Sequence, residues 1–290
     1  MSRLGIFVDR KTLANAEQLT ALIRCRDVAE EMGHHAEFLF PTDICRIPHL
    51  DALFIRTRTD PMNIAYVAAQ MAAFHNIPVI DDPASIRICS DKVNMYSHLI
   101  RHNIAIPKTV FITRKDLTPD CASRLFSTLG TPLIVKEPST SFSCRVEKVA
   151  DPEAFFQVAR RFIRLSDWIV VQQYVESTYD WRVGVIGGKL LYVCKYTIPP
   201  ETFKIQASVN GHIVYCGVES VPEGSAPPGV IALGLAAARA IGNGLYGVDI
   251  KNSNGDACVI EVNDNPSIES GEDDCYPRCF AQIVGHLLPA

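Results

Sequence analysis

This sequence of 290 residues lacks the patterns that are typical of nucleic-acid-binding, membrane and secreted proteins. It has no basic excess, because 32 acidic side chains outnumber 28 basic ones and leave a net charge of −4. Nucleic acid is therefore not expected as a partner. No apolar run approaches the roughly 18–20 residues that cross a bilayer, and the run near the N-terminus is too short for a secretory signal. We expect a cytoplasmic protein with no membrane partner.

The ten cysteines include no Cys-x-x-Cys pair. Cys194, Cys216 and Cys258 lie inside strand-like apolar runs, where a free cysteine acts as a small apolar residue. His98 and His102 have the spacing of one helical turn, but the sequence offers no third zinc ligand beside them. A Ser/His/Asp or Cys/His set that would supply a nucleophile is also missing. We therefore expect reduced thiols and no catalysis by a side-chain nucleophile.

The first ninety residues alternate strand and helix patterns. Short apolar runs such as "LGIFV", "AEFLF" and "IPVID" predict strands, and the segments between strands have apolar residues at helical spacing. This alternation predicts an α/β unit with a parallel sheet. No Gly-x-Gly-x-x-Gly follows the first strand, so the phosphate turn of a Rossmann-type dinucleotide site is missing. After residue 91 the strands follow one another as hairpins with the helices kept apart, which predicts an α+β fold.

The stretch "LYGVDIKNSNGDACVIEVNDNPSIESG" sets three acidic or amide groups within apolar runs. "NSNGD" is a strong turn signal, and a turn centred near Gly255 would place Asp249 roughly across from Glu261. Glu261 and Asn263 are two residues apart, so they share a face of their strand. Three oxygen donors therefore converge on one patch, where buried carboxylates need a cation between them. Such ligands suit Mg²⁺ or Mn²⁺ beside phosphates, whereas the alternative is a solvated sheet face with both carboxylates in water.

Two lysines are placed to meet the phosphates that such a metal implies. Lys92 opens a helix after Ser90 and Asp91, and Lys136 ends the apolar strand "PLIVKE". A lysine inside an apolar run is costly to bury without an anionic partner. The Ser-rich loop "PSTSFSCR" follows Lys136, and its hydroxyl and N–H groups could fold over a phosphate. The alternatives are an exposed helix cation at Lys92 and a snorkelling edge residue at Lys136.

A further pattern runs through "VVQQYVESTYDWRVGVIGGKLLYVCKY". A strand ends at Gln173, where exposed backbone can bind the edge of an adenine, and Asp180 nearby can bind ribose hydroxyls. Arg182 and Lys195 alternate with apolar residues, so both are expected to point into one cleft. The alternative is that both are outward-facing cations of a sheet.

The order of these parts resembles that of the ATP-grasp superfamily. The residues that carry the likeness are Lys92, Lys136 with its Ser-rich loop, "QQYV", "DWR" and the closing "GVDI…IEVNDNPSIESG". The ribosomal-S6-modification and glutathione-synthetase-like ligases are the most similar members, with "DIR" and "EVN-x-(S/N)-P" at the matching places. The resemblance covers about residues 85–275, and the terminal motif is its most specific part.

The resemblance implies an ATP-grasp fold, in which two α+β lobes grip ATP behind a parallel-sheet domain. We place that α/β pre-ATP-grasp domain at 1–88 and the ATP-grasp domain at 89–290. The small lobe would cover about 108–175 and the large lobe about 176–290. Whether the chain assembles with further copies of itself into a homo-oligomer is left open.

The resemblance also implies roles for individual residues. ATP would be bound by Lys92, Lys136, Ser141, Ser143, Gln173, Tyr174, Val175, Asp180 and Lys204, with 173–175 as the adenine hinge. Two Mg²⁺ or Mn²⁺ ions would be held by Asp249, Glu261 and Asn263. Arg182 and Lys195 would steady the transferred phosphoryl group, and Asn265 and Ser267 would contact the substrate.

The activity that the resemblance implies is ATP-dependent ligation of a carboxylate to an amine. ATP would convert the carboxylate of an amino acid or small peptide to an acyl phosphate, which the amine then attacks, with ADP as a product. The first alternative is a non-catalytic ATP-binding regulatory module, because the loop after Lys136 has no glycine. The second is an ATP-grasp enzyme that phosphorylates a different acid, such as a carboxylase component.

Overall fold

The computed structural model describes most of the chain. The described residues are 1–140, 144–199, 202–203, 206–209, 212–215, 217–222, 224–253, 255–268, 276 and 278–289, of which 206–209 and 212–215 are described by their backbone. Within these ranges, no helix combines the length and the apolar character that a membrane crossing requires.

The N-terminal part forms a four-stranded parallel sheet, which confirms the prediction from its alternating pattern. Its strands are β1 (Arg3–Phe7), β2 (His35–Leu39), β3 (Ala52–Ile55) and β4 (Val79–Ile80), in the order β2-β1-β3-β4. The helices here are α1 (Arg10–Ala14), α2 (Ala16–Glu31) and α3 (Ile64–Phe74), and a 3-10 helix covers Pro41–His49. Strand β3 is buried along its whole length, as its continuous apolar sequence requires.

A second sheet follows two short helices, α4 (Pro83–Cys89) and α5 (Lys92–Arg101). Its strands are β5 (Thr109–Thr113), β6 (Leu133–Lys136), β7 (Val146–Val149) and β8 (Trp168–Gln173), all antiparallel in the order β5-β8-β6-β7. The helices α6 (Cys121–Leu129) and α7 (Pro152–Phe162) share its apolar core. Helix α5 begins at Lys92 because the Asp91 side chain caps it by accepting a hydrogen bond from the backbone N–H of Asn94.

The third sheet is antiparallel and begins with β9 (Tyr179–Ile186) and β10 (Lys189–Thr197). A separate hairpin of β11 (Gln206–Val209) and β12 (His212–Tyr215) comes next. The remaining strands are β13 (Gly217–Ser220), β14 (Leu245–Ser253) and β15 (Asp256–Asn263), which gives the order β13-β10-β9-β14-β15. Helix α8 (Pro228–Ile241) precedes β14, and α9 (Cys279–Leu287) is the last helix. The predicted α+β character of this part is confirmed.

The two faces of the third sheet differ in chemistry. Helices α5 and α8 cover one face, where Val183, Val248 and Ile250 lie in a shared apolar core. Alternation along β9 and β14 turns Arg182 and Asp249, which pair across the two strands, to the opposite face. On that face Asp249 lines a cleft between the second and third sheets, and Arg182 is buried beside it.

The last helix returns to the N-terminal sheet. In α9, Phe280 and Ile283 lie in one apolar core with Leu4 of β1 and Leu22 of α2. Leu245 at the start of β14 joins the same core. Residues from the first and last parts of the described chain therefore bury one another.

Gly234 sets how closely α8 approaches β9. A Cβ at this position would lie 2.8 Å from the Cβ of Val183, which is closer than packed carbon atoms tolerate. We expect Gly234→Ala to lower the free energy of unfolding by about 1–3 kcal/mol, because the helix or the strand must shift. Gly229 lies at the start of the same helix with no atom within 4 Å of such a Cβ, so Gly229→Ala should be neutral or slightly stabilising. Urea denaturation of both variants tests this, and equal losses would contradict the close-packing interpretation.

Candidate active site

The cleft between the second and third sheets is partly open to solvent, and its empty space, open solvent at the mouth included, is about 760 Å³. It brings together most of the residues that the sequence predicts for nucleotide binding, namely Lys92, Lys136, Gln173, Tyr174, Val175 and Asp180. Two of the predicted metal ligands, Asp249 and Glu261, also line it. Their convergence makes this cleft the candidate site.

The hairpin of β14 and β15 pairs Asp249 with Glu261. This confirms the predicted cross-strand placement of the two carboxylates. The pairing shifts by one residue at Ile260, and this β-bulge turns Glu261 and Asn263 to the same face as Asp249. Asn263 Nδ2 lies 3.2 Å from Asp249 Oδ2. The three predicted metal-binding side chains are therefore neighbours on one face of the hairpin, and Asp249 and Glu261 reach the cleft.

Tyr96 of α5 connects this wall to the second sheet. Its hydroxyl donates to the Ile260 carbonyl at 2.5 Å and accepts from Lys136 Nζ at 2.7 Å. Burial raises the pKa of Tyr96 well above its ordinary value, so the hydroxyl keeps the proton that it donates. One buried hydroxyl thus holds both the bulge and the lysine.

Arg182 neutralises Asp249 through a bidentate ion pair. Arg182 Nε lies 2.5 Å from Asp249 Oδ1, and Nη2 lies 3.0 Å from Oδ2. Both side chains are buried, and the guanidinium carbon lies 4.9 Å from the centre of the Tyr196 ring. Burial raises the pKa of Asp249, an effect that Arg182 opposes and the nearby Glu261 strengthens. The predicted metal ligand therefore already has a cationic partner.

A second buried ion pair involves Lys251, which the sequence analysis missed. Lys251 Nζ lies 2.5 Å from Asp180 Oδ1, and both residues are more than nine-tenths buried. Lys251 follows Asp249 by two residues, so alternation along β14 puts both on one face. This spacing is the signal that could have identified Lys251. Asp180, the predicted ribose contact, therefore enters the cleft as half of an ion pair.

Lys92 is buried, so its alternative interpretation as an exposed helix cation is wrong. Its Nζ lies 3.5 Å from Glu261 Oε1 and also donates to the Thr140 carbonyl. Its backbone N–H donates to the Pro138 carbonyl at 3.1 Å. Helix α5 and the loop after β6 are therefore joined at the residue predicted to hold a phosphate.

Lys136 is also buried, and β6 lies inside the second sheet, so the alternative of a snorkelling edge residue is wrong. Among the described residues, no carboxylate lies within ion-pair distance of Nζ, which is held by the Tyr96 hydroxyl. Burial lowers the pKa of Lys136 to about 7; Glu261 counteracts this effect, and the cations Lys92 and Lys251 add to it. An anion bound beside Lys136 would therefore favour the charged form of this lysine.

Lys195 does not reach the cleft. The register of β10 shifts by one residue at Leu191, so that Lys195 pairs with Trp181. Its Nζ lies 5.2 Å and 5.1 Å from the ring centres of Tyr179 and Trp181. Because neighbours along β9 point to opposite faces, Lys195 and Arg182 lie on opposite sides of the sheet. The expectation that both point into one cleft is therefore wrong, and the predicted catalytic role of Lys195 has no support from its position.

The predicted adenine hinge lines the cleft beside apolar side chains. The backbone N–H of Gln173 donates to the Lys108 carbonyl at 2.9 Å, which extends the pairing of β8 with the segment before β5. Lys148 Nζ lies 4.6 Å from the ring centre of Tyr174 and 5.5 Å from that of Phe203, which also lines the cleft. The contacts of Gln173, Tyr174 and Val175 with adenine stay predictions.

Three predicted nucleotide contacts, Ser141, Ser143 and Lys204, lie outside the described residues. The described flanks of the Ser-rich loop are well connected. Ser139 Oγ donates to Asp91 Oδ2 at 3.0 Å, and the Glu137 N–H donates to the Arg145 carbonyl at 3.0 Å.

Asn265 and Ser267, the predicted substrate contacts, differ in their surroundings. Arg56 Nη1 donates to Asn265 Oδ1 at 2.5 Å, and Asn265 Nδ2 donates to the Thr57 carbonyl at 2.6 Å. Arg56 Nη2 also donates to the Pro266 carbonyl at 2.9 Å. Both ends of the Asn265 amide thus bind the carboxyl end of β3 and link the N-terminal sheet to the exit of the hairpin. Ser267 is exposed, and its role stays a prediction.

The donors on the cleft wall fit a hard divalent cation. Carboxylate and carboxamide oxygens are ligands that Mg²⁺ prefers, and Asp249, Glu261 and Asn263 supply them side by side. Within the described ranges, no group of three or more His, Cys, Asp or Glu side chains is placed to hold a metal. A cation here would therefore depend on the Asn263 carboxamide and on phosphate oxygens as further ligands.

Solved structures with the same fold are ATP-grasp ligases. D-alanine–D-alanine ligase from Bacillus anthracis matches with a TM-score of 0.71 at 16% identity, over 99% of this chain and 96% of that one. A RimK domain ATP-grasp protein from Sphaerobacter thermophilus matches at 0.71 and 19% identity, over 99% and 100%. The VanG D-Ala:D-Ser ligase of Enterococcus faecalis matches at 0.75 and 12% identity, over 99% and 98%. The chain therefore has the ATP-grasp fold.

Residues 89–285 match the model of the RimK-like ATP-grasp domain, so the chain belongs to that family and the resemblance drawn from the sequence is confirmed. A "Probable alpha-L-glutamate ligase" of Pseudomonas putida (strain KT2440) is 27% identical over 210 residues, which are 72% of this chain. A "Probable alpha-L-glutamate ligase 1" of Shewanella sp. (strain MR-4) is 30% identical over 211 residues, or 71% of this chain. Each match spans 66% of the relative's own length, which is just under two thirds.

The low pKa of Lys136 predicts proton uptake when a nucleotide binds. With a pKa of about 7, Lys136 is mostly neutral at pH 8, and a phosphate beside it would favour the charged form. We expect uptake of up to about one proton per MgATP at pH 8, falling as the pH drops below 7. Calorimetry in buffers of different ionisation enthalpy measures this. Lys136→Arg keeps a permanent charge and should bind without that uptake; equal uptake by both proteins would contradict the assignment.

The hydrogen bonds of Arg56 connect the N-terminal sheet to the segment after the β14–β15 hairpin, so losing them should lower the stability of the protein. Arg56→Met removes two hydrogen bonds from a buried guanidinium and leaves the Asn265 oxygen without its donor. We expect the free energy of unfolding to fall by about 2–4 kcal/mol. Arg58, two residues further on, is exposed, and Arg58→Met should change it by less than about 0.5 kcal/mol. Urea denaturation compares the two variants. If Arg56→Met leaves the free energy of unfolding unchanged, this contact does not stabilise the fold.

Proposed function

We propose that the protein is an ATP-dependent ligase that joins a carboxylate to an amine through an acyl phosphate and releases ADP. The observation that carries this proposal is the charge arrangement of the cleft. Lys136 is a buried lysine with no carboxylate within ion-pair distance among the described residues, and it lies beside the wall that presents Asp249 and Glu261. That arrangement suits a polyanion bound together with a cation.

In the proposed reaction the chain positions reactants and balances charge. Lys92 and Lys136 would bind phosphate oxygens, and Asp249, Glu261 and Asn263 would hold Mg²⁺ or Mn²⁺, with two ions expected. When bound, such ions offset the negative charge that develops during phosphoryl transfer. Arg182 is paired with Asp249 and would contact the transferred phosphoryl group. No side-chain nucleophile is needed, because the amine itself attacks the acyl phosphate.

The substrates that we propose are small molecules, an amino acid or short peptide as the carboxylate and an amino acid as the amine. The names of the curated relatives support glutamate as one partner. The titles of the structural neighbours, which name D-Ala:D-Ala and D-Ala:D-Ser ligases, support ligation of amino acids more generally.

The location and assembly of the protein are further parts of the proposal. The described cysteines are all free thiols, which together with ATP as cofactor supports a cytoplasmic location. The absence of a nucleic-acid partner and a homo-oligomeric state stay predictions from the sequence.

A non-catalytic ATP-binding module is the second candidate. Two observations favour it. The loop after Lys136 contains no glycine, and its Thr140 carbonyl accepts from Lys92 Nζ. In addition, Arg182 occupies both oxygens of Asp249. Such contacts would restrain the rearrangements that turnover requires.

An ADP-release assay with pairs of amino acids, including glutamate, separates the two candidates. We expect release only when a carboxylate and an amine are both present, and a product whose mass shows their condensation. Calorimetry with MgATP is run beside it. Tight binding without ADP across the panel would favour the regulatory module.

Glu261→Gln tests the residues proposed to act. Glu261 is partly exposed at the cleft, so its exchange should leave the fold intact while lowering the turnover number by about two orders of magnitude. Asp256→Asn, on the exposed turn of the same hairpin, is the matched control and should keep full turnover. A Glu261→Gln variant with unchanged turnover and unchanged Mg²⁺ dependence would refute the metal assignment.

A further inference from the structure

The ion pair between Asp180 and Lys251 lies at a defined place in the cleft. The register that pairs Asp249 with Arg182 and Ile250 with Trp181 brings Lys251 beside Asp180 on the next strand. Both side chains line the same cleft as the hinge residue Tyr174. The pair therefore lies on the floor of the proposed nucleotide site.

The pair shares the cleft with the hinge residue Tyr174 and with Lys136. Lys251 disfavours the charged form of Lys136, and Asp180 favours it, so both are close enough to act on that lysine. A nucleotide that extends from the hinge at Tyr174 to Lys136 would therefore lie in the same cleft as Asp180 and Lys251. The part of a nucleotide between base and phosphates is the ribose.

Burying the Asp180–Lys251 ion pair costs free energy, because both ions lose their hydration. Replacing such pairs by apolar residues is often neutral or stabilising. The neighbouring Ile250 lies in the apolar core of the opposite face, whereas Lys251 and Asp249 are buried on the cleft face. A retained buried pair that lines a ligand cleft is better explained by recognition than by stability.

We propose that Lys251 determines specificity for the ribose of the nucleotide by holding the Asp180 carboxyl group in position as a hydrogen-bond acceptor. This inference rests on the proposed binding of ATP in the cleft. The carboxylate accepts the ribose hydroxyls, and Lys251 fixes its orientation through Oδ1. A nucleotide without the 2′-hydroxyl leaves a buried acceptor partly unsatisfied, which is the condition under which a site discriminates strongly against an analogue.

The test compares the affinities of ATP and 2′-deoxy-ATP, measured by calorimetry with Mg²⁺ and without a carboxylate substrate. We expect the unmodified protein to prefer ATP by about 10-fold or more. In Lys251→Met the preference should fall to within about 3-fold of unity, because Asp180 loses its partner and its orientation. Lys251→Arg keeps a cation of similar reach and should restore most of the preference. Lys189→Met, at the exposed start of β10, is the control and should behave as the unmodified protein.

The outcomes separate this inference from the proposed function. If Lys251→Met weakens both nucleotides equally and keeps their ratio, the pair has a structural role only and the inference is overturned. The same holds if Asp180→Asn changes the ratio while Lys251→Met does not. Failure of the unmodified protein to bind either nucleotide would instead refute the proposed function. If Lys251→Met does not fold, Asp180→Asn combined with Lys251→Met removes both charges, and its ratio should also approach unity.

Discussion

The β-bulge at Ile260 is the local constraint on which the candidate site depends. Without it, regular pairing from the turn of the hairpin would set Asp249 opposite Ile260 and turn Glu261 and Asn263 toward α8. With it, both side chains lie on the same face of the hairpin as Asp249. The Tyr96 hydroxyl holds the bulge through the Ile260 carbonyl and holds Lys136 through its other contact. The geometry of the two sheets is thus coupled at one buried side chain.

Local patterns in the sequence predict the elements of the fold well. Alternating apolar runs predict the parallel sheet, and the Asn-Gly turn predicts the hairpin that pairs Asp249 with Glu261. The error at Lys195 has a specific cause. Regular pairing would place Lys195 opposite Asp180, but the extra residue at Leu191 moves it opposite Trp181 and so to the other face. No turn residue marks this second bulge in the sequence.

Other features of the site depend on contacts between distant parts of the chain, which a sequence pattern does not contain. Arg56 and Asn265 are 209 positions apart, so nothing local predicts that the predicted substrate contact is bound to β3. The spacing of Lys251 shows only which face it shares with Asp249. That its partner is Asp180 follows from the order of strands in the sheet.

The return of α9 to the N-terminal sheet has a consequence for how the protein is made. The core around β1 and α2 needs Phe280 and Ile283 to cover its apolar side chains. During synthesis those side chains therefore remain without their final cover until nearly all of the described chain has left the ribosome. The core of the N-terminal sheet is therefore completed only after the C-terminal helix has been synthesised.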